Sequence, residues 1–107
     1  GRARDALPLL ERALRHDPRN PIIYTNLGSA YYDQQRFQEA VDMYQMAISL
    51  DSESIEAHFN LGVAFADARI FEEAIREWEK VIEIYPTSQA AKISRENIQM
   101  IRQFRGE

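Results

Sequence analysis

Residues Asn26–Ala40 read NLGSAYYDQQRFQEA, and Asn60–Ala74 read NLGVAFADARIFEEA, the same phrase 34 residues further on. Working outward, residues 21–54 and 55–88 share ten identical positions. Others are alike in kind, such as Tyr31 with Phe65 and Tyr44 with Trp78. A fixed period in this range marks a repeat architecture. Within a copy the apolar residues fall three and four apart: Tyr24, Leu27, Tyr31, then Phe37, Ala40, Val41, Tyr44, Ala47 and Ile48. That spacing predicts helices and not strands. The pattern breaks near Gln34–Arg36 and Ala68–Ile70, so each copy reads as two helices joined by a short turn.

The residues between the copies support this. Asn20-Pro21 offers an N-cap acceptor followed by proline at the first helical position. Ser54 and Ser88 are candidate caps for later helices. Pro18 and Pro86 cannot continue a helix and end the preceding ones, while Asp51-Ser52-Glu53-Ser54 does so without proline.

These residues resemble the tetratricopeptide repeat, whose pattern is Trp-x2-Leu-Gly-x2-Tyr, then Ala-x3-Phe, then Pro. The first full copy supplies Tyr24, Leu27, Gly28, Tyr31, Ala40 and Tyr44, with Ser52 where proline is usual. The second supplies His58, Leu61, Gly62, Phe65, Ala74, Trp78 and Pro86. Ala6, Leu10, Ala13 and Pro18 keep the same phase as a second helix without its first, so the resemblance runs from about Ala3 to Ser88. It implies an all-α, right-handed α–α superhelix of about six helices. The expected organisation is a partial repeat at 1–20, repeats at 21–54 and 55–88, and a closing helix at 89–107.

Glycine inside a helix costs roughly 1 kcal/mol relative to alanine, so Gly28 and Gly62 need a packing reason. The expected reason is that each lets the second helix, through Ala40 or Ala74, lie against the first, while Tyr44 and Trp78 fill the space between pairs. Leu in place of Ala40 would overpack that contact at a cost of about 1–3 kcal/mol. The family often has glycine in the turn between the helices; Gln35 and Arg69 stand there instead, and positive φ is mildly strained for them.

Residues 89–107 carry Arg95 and Glu96 where the repeat has Leu-Gly, and resemble the polar helix that closes such arrays. Ala91, Ile98 and Ile101 are expected to pack on the last repeat. Ala90, Ile93, Met100 and Phe104 then form a second apolar stripe, read either as a wider core face or as a contact surface. At the other end Leu7, Leu9, Leu10 and Leu14 lack cover on one side. Leu7, Ile93, Met100 and Phe104 are therefore the candidates for self-association, and a homo-oligomer is the alternative reading.

Composition bounds the function. The 107 residues are 45% apolar and 28% charged, too apolar for disorder, and contain no cysteine for disulfides or thiolate chemistry. No apolar run approaches the roughly 18 residues of a membrane span, and no secretion signal is visible, so a cytoplasmic location without membrane insertion is expected. Net charge is +2 over residues 1–20, −2 over 21–50, −6 over 51–88 and +2 over 89–107. The acidic middle argues against nucleic acid. Basic ends around it favour head-to-tail stacking of chains; the plain alternative is scattered solvated helix faces.

Nothing points to catalysis or a cofactor. His16 and His58 are the only histidines and are not spaced as a ligand pair, so no metal site is expected. His58 occupies the repeat's aromatic position and reads as a packed, half-buried ring. Glu72, Glu73, Glu77 and Glu79, with Arg76 and Lys80 at pairing distance, read as a solvated helix face. There is no glycine-rich phosphate loop, and no serine or threonine has an evident activating base.

In this repeat the first helices line a concave surface. Asn26 and Asn60 immediately precede Leu-Gly, which faces the neighbouring helix, so they are expected to turn toward the groove. An amide both donates and accepts, and can pair with a peptide backbone of any sequence. Two such Asn one repeat apart resemble the asparagine ladder of the O-GlcNAc transferase family; the alternative is bonding to a neighbouring helix. Helical spacing adds Ile22, Thr25, Ser29, Tyr32 and Asp33, then Glu56, Phe59, Val63 and Asp67, with Tyr32 and Phe59 as expected hot spots. Some relatives, as in chaperone adaptors, hold a peptide's terminal carboxylate with Lys, Asn and Arg. Here Thr25, Ala90 and Ser94 stand where basic residues are needed, so that function is not expected to carry over. The expected function is a non-catalytic scaffold or adaptor that binds a protein or peptide in its groove.

Overall fold

The computed structural model describes the backbone of residues 2–107 and the side chains of residues 5–107. Six helices follow one another: α1 (Arg2–His16), α2 (Pro21–Asp33), α3 (Phe37–Leu50), α4 (Ile55–Asp67), α5 (Phe71–Ile84) and α6 (Gln89–Phe104). No strand occurs among the described residues, and no helix is long and apolar enough to cross a membrane.

All three expected caps form. Asn20 Oδ1 accepts from Ile22 N at 2.9 Å, Ser54 Oγ from Ala57 N at 3.1 Å and Ser88 Oγ from Ala91 N at 3.0 Å, each satisfying an otherwise orphaned helix donor. Helices α3 and α5 start without a side-chain cap, straight out of tight turns. In these turns Gln35 and Arg69 adopt φ of 60° and 63°, the left-handed region expected from the missing glycine. Arg36 N→Tyr31 O at 3.0 Å and Ile70 N→Phe65 O at 2.8 Å then close the ends of α2 and α4.

Each helix packs antiparallel on the next, and the array measures 45 × 26 × 19 Å. Helix α2 also approaches α4, and α4 approaches α6, whereas among the described residues the backbones of α1, α3 and α5 stay farther from one another. The array therefore bends toward the side of α2, α4 and α6, which makes that side concave.

The core is a row of clusters, each bridging neighbouring units. Leu7, Leu27 and Ala30 form one; Ala40, Val41, Tyr44, Leu61 and Ala64 the next; Ala74, Ile75, Trp78, Ile98 and Ile101 the third. Ala91, Ile98 and Ile101 of α6 are buried, as the sequence predicts. The glycines act differently from expectation. A Cβ on Gly28 would lie 2.6 Å from Tyr44 Cε1, and one on Gly62 would lie 2.5 Å from Trp78 Nε1. What needs the missing side chain is thus the aromatic ring of the following helix. Ala40 and Ala74 are fully buried beside these contacts.

Leu7 also departs from expectation. It is buried against α2, because the α1 face that carries it is the one turned inward, so it is no free contact residue in this chain. Leu9 is the α1 leucine that points outward, at 64% exposure, while Leu10 and Leu14 are half-buried.

Candidate binding groove

The concave side is built from one face each of α2, α4 and α6. Ile22, Asn26, Asp33, Glu56 and Asp67 are exposed, and Ser29, Tyr32, Asn60 and Val63 are half-buried. Along α2 and α4 the side-chain hydrogen bonds are made by Tyr24, Thr25, Ser29, Tyr32, His58 and Asp67, and among the described residues neither Asn26 nor Asn60 takes part in one. Two expected lining residues are placed elsewhere. Thr25 is buried, its Oγ1 donating to Pro21 O one turn back at 3.0 Å, which satisfies the hydroxyl inside the fold. Phe59 packs on the third core cluster, and its carbonyl accepts from Trp78 Nε1 at 3.2 Å, so the ring is structural over much of its surface.

Tyr32 and Asp67 meet across the α2–α4 seam, the hydroxyl donating to the carboxylate. The hydrogen bond to Asp67, aided by burial and by the carboxylate's charge, raises the Tyr32 pKa to about 12. Tyr32 also rests against Phe37, ring centroids 5.7 Å apart. This ties neighbouring units together and fixes the spacing of the groove wall. Ser29 Oγ and Tyr44 Oη lie 3.0 Å apart, so the hydroxyl of the ring under Gly28 reaches the groove side.

Between α4, α5 and α6 the groove deepens into a cavity of about 510 Å3, within the usual size range of ligand pockets. Val63, Ala66, Met100 and Phe104 form its apolar wall, with Asp67, Arg69 and Asn97 as polar groups. Met100 and Phe104 are 61% and 72% exposed, and Phe104 meets Phe71 edge-on at 6.1 Å. Residues assigned from sequence to two separate surfaces, Val63 and Asp67 on one and Met100 and Phe104 on the other, thus line a single cavity. Ile93 stays apart, half-buried on α6. Arg69, Ala66 and Asn97 were not legible as groove residues, because their place depends on how α6 crosses α4. A second depression, lined by Leu9, Leu10, Asn26, Ser29 and Asp33, lies between α1 and α2.

The three positions where the sequence reading finds no basic residue for a terminal carboxylate differ in exposure. Thr25 is buried, Ser94 is fully buried with no partner for its Oγ, and Ala90 is half-buried. His58 is more buried than expected, at 3% exposure, and is bonded on both nitrogens. Nδ1 lies 2.7 Å from Glu77 Oε1 and Nε2 lies 2.8 Å from Ser52 O. The hydrogen bond to Glu77 is the main reason its pKa is raised; the Ser52 carbonyl adds to this, and burial opposes it. Glu77 is consequently a partner of the interior and not part of a purely solvated face.

Family models match this pattern: a TPR repeat model over residues 1–35 and 28–68, and a tetratricopeptide repeat model over 55–88. None of the curated proteins compared with it matches the chain. Among solved structures, the first TPR of Spaghetti (RPAP3), bound to the HSP90 peptide SRMEEVD, is similar over all of this chain and 82% of its own, with 25% identity and a TM-score of 0.90. The second TPR domain of human RPAP3, in complex with the HSP70 peptide SGPTIEEVD, is 25% identical over 92% of this chain and 82% of its own, with a TM-score of 0.83. The Arabidopsis OM64 TPR domain, at 19% identity over 92% of this chain and 82% of its own, shares the fold with a TM-score of 0.85. With these family models together spanning residues 1–88, the chain belongs to the tetratricopeptide-repeat family.

Proposed function

We propose that this domain is a non-catalytic protein-interaction module, a scaffold or adaptor that takes a peptide or partner segment along the concave face of α2, α4 and α6. The carrying observation is that Asn26 and Asn60, one repeat apart, make no side-chain hydrogen bond among the described residues. An amide left unbonded at an open groove is available to a backbone N–H and C=O. The peptides bound by the two RPAP3 domains give the same fold a precedent for peptide capture. A cytoplasmic location fits this role.

The test is a capture experiment with the immobilised domain beside its Asn26→Ala/Asn60→Ala variant, after both show equal helicity and melting. A partner kept by the native domain and lost by the variant supports groove recognition. A partner retained equally by both moves the binding surface elsewhere.

A second reading has one observation in its favour: Leu9 at one end and Met100 and Phe104 at the other are large, exposed and apolar. They suit self-association through the ends. Light scattering at high concentration decides it, since a strict monomer leaves no role for that surface.

A further inference from the structure

The charge and shape of the groove go further than its location. Helices α2 and α4 carry Asp33, Glu56 and Asp67 and no Lys or Arg; their one histidine, His58, is turned inward to Glu77. Asp33 and Glu56 have no Lys, Arg or His partner at ion-pair distance among the described residues. Asp67 accepts from the Tyr32 hydroxyl and shares the cavity lining with Arg69. Four of the five carboxylates on α5 are different: Glu72, Glu73 and Glu79 are paired with Arg105, Arg76 and Arg102, and Glu77 with His58. Of the three cations of α6, Arg95 is spent on Pro86 O and Arg102 on Glu79, and Lys92 is exposed and lines neither the cavity nor the α1–α2 depression. The concave side therefore keeps the negative charge of Asp33 and Glu56, with Asp67 set beside Arg69 on the lining of a cavity whose main walls are apolar.

Resting on the groove reading above, we propose that the segment it takes is basic and carries at least one large apolar side chain. The apolar side chain seats among Val63, Ala66, Met100 and Phe104. The flanking cations lie along Glu56, Asp33 and Asp67, and Asn26 and Asn60 hold the backbone between them. Glu56 and Asp67 are eleven helical positions apart, about 16 Å along the axis, a span of roughly five extended residues. This is the reverse of the acidic peptides SRMEEVD and SGPTIEEVD held by the two similar domains. A ligand ending in carboxylates would meet three carboxylates on α2 and α4 against one cation of the cavity lining, Arg69, and the surplus of like charge selects against it.

The experiment uses four end-labelled peptides: a capped heptamer alternating Lys with Leu and Phe, its Glu-for-Lys counterpart, its Ser-for-apolar counterpart, and SRMEEVD. Anisotropy gives the affinities at low salt and at roughly 0.3 M salt, and amide NMR shifts give the location. The Lys/apolar peptide is expected to bind with shifts at Asn60, Val63 and Met100, and the other three to bind at least about tenfold more weakly. Asp33→Asn/Glu56→Gln should weaken it about fivefold and flatten the salt dependence. Met100→Ser/Phe104→Ser should weaken it while leaving the salt dependence intact.

SRMEEVD binding as tightly as the basic peptide overturns the charge assignment and leaves the groove reading standing. Shifts confined to the outer carboxylates of α5 overturn both. No binding of the basic peptide overturns the ligand class, and loss of the captured partner on Asn26→Ala/Asn60→Ala still reports on the groove by itself.

Discussion

His58 Nδ1 sits 2.7 Å from Glu77 Oε1 while His58 Nε2 sits 2.8 Å from the Ser52 carbonyl, so a buried ring bridges the α3–α4 loop to α5. A carboxylate and a carbonyl only accept, so a ring that serves both at once donates from both nitrogens and is an imidazolium. The hydrogen bond to Glu77 raises its pKa above the ordinary value, with Lys80 acting in the opposite sense. The folded state then holds a proton the unfolded chain releases near pH 6.5. This contribution is fully present below that pH and is lost as pH rises through the higher folded-state value. Denaturant unfolding of the native domain and His58→Gln, at about pH 5.5 and about pH 8.5, should show a native advantage of about 1.5–3 kcal/mol at the acid end that shrinks at the alkaline end. Equal differences at both pH values would mean a neutral ring.

The glycine contacts predict an unusual sign for a helix substitution. Gly→Ala in a helix ordinarily gains up to about 1 kcal/mol. At Gly28 the new Cβ would meet Tyr44 ring atoms at 2.6–2.9 Å, and at Gly62 it would meet Trp78 at 2.5–2.8 Å. Both rings are buried and have nowhere to move, so overpacking of about 1–3 kcal/mol outweighs the propensity gain. Gly28→Ala and Gly62→Ala are each expected to lower the urea midpoint. Gly62→Ala should also shift the emission of Trp78, the chain's one tryptophan, as Nε1 is pushed off Phe59 O. A raised midpoint would contradict the contact.

Gln35 offers the opposite case. At φ 60° it bears a left-handed conformation that costs an L-residue roughly 1–2 kcal/mol. Gly in its place relieves this but adds freedom to the unfolded chain, which offsets up to about 1 kcal/mol. Gln35→Gly should therefore stabilise the domain by about 0.5 kcal/mol, read as a small rise in melting temperature. Arg69 at φ 63° has the same geometry but also lines the cavity, so Gln35 is the cleaner site.

The Tyr32–Asp67 seam predicts a titration. Tyr32, held to about 12 by its hydrogen bond to Asp67, should ionise after the exposed phenols in tyrosinate absorbance. Tyr32→Phe should reduce the late absorbance change by one phenol, leaving that of Tyr44, whose pKa burial also raises. Because the pair is largely exposed, the loss of stability should stay under about 1 kcal/mol, and it should vanish as pH rises from about 10 through about 12.

Much of this fold is local in origin, and that part was readable. The 34-residue period, the three- and four-residue apolar spacing and the Asn20, Ser54 and Ser88 caps each act within a turn or two of helix, and all three caps form as expected. The strained turns at Gln35 and Arg69 were legible for the same reason, since a glycine position was filled by another residue. The buried face of α6 at Ala91, Ile98 and Ile101 followed from the repeat phase.

The candidate site was legible only in part. Phase around Asn26 and Asn60 names the residues on one side of a helix, but it cannot say which the neighbouring helices cover. Thr25 bonds its own helix, Phe59 is drawn against the core behind Trp78, and Leu7 lies under α2. Glu77 was assigned to solvent because its neighbours in sequence are charged, yet a partner 19 positions away in α4 draws it inward. Sequence by itself determined the repeat, its helices and the surplus of acid on α2 and α4, because these depend on residues close along the chain. Tertiary structure alone decided that Val63, Met100 and Phe104 share one cavity and that Gly28 and Gly62 serve aromatic rings, because both depend on the crossing of separate helices, which no local periodicity encodes.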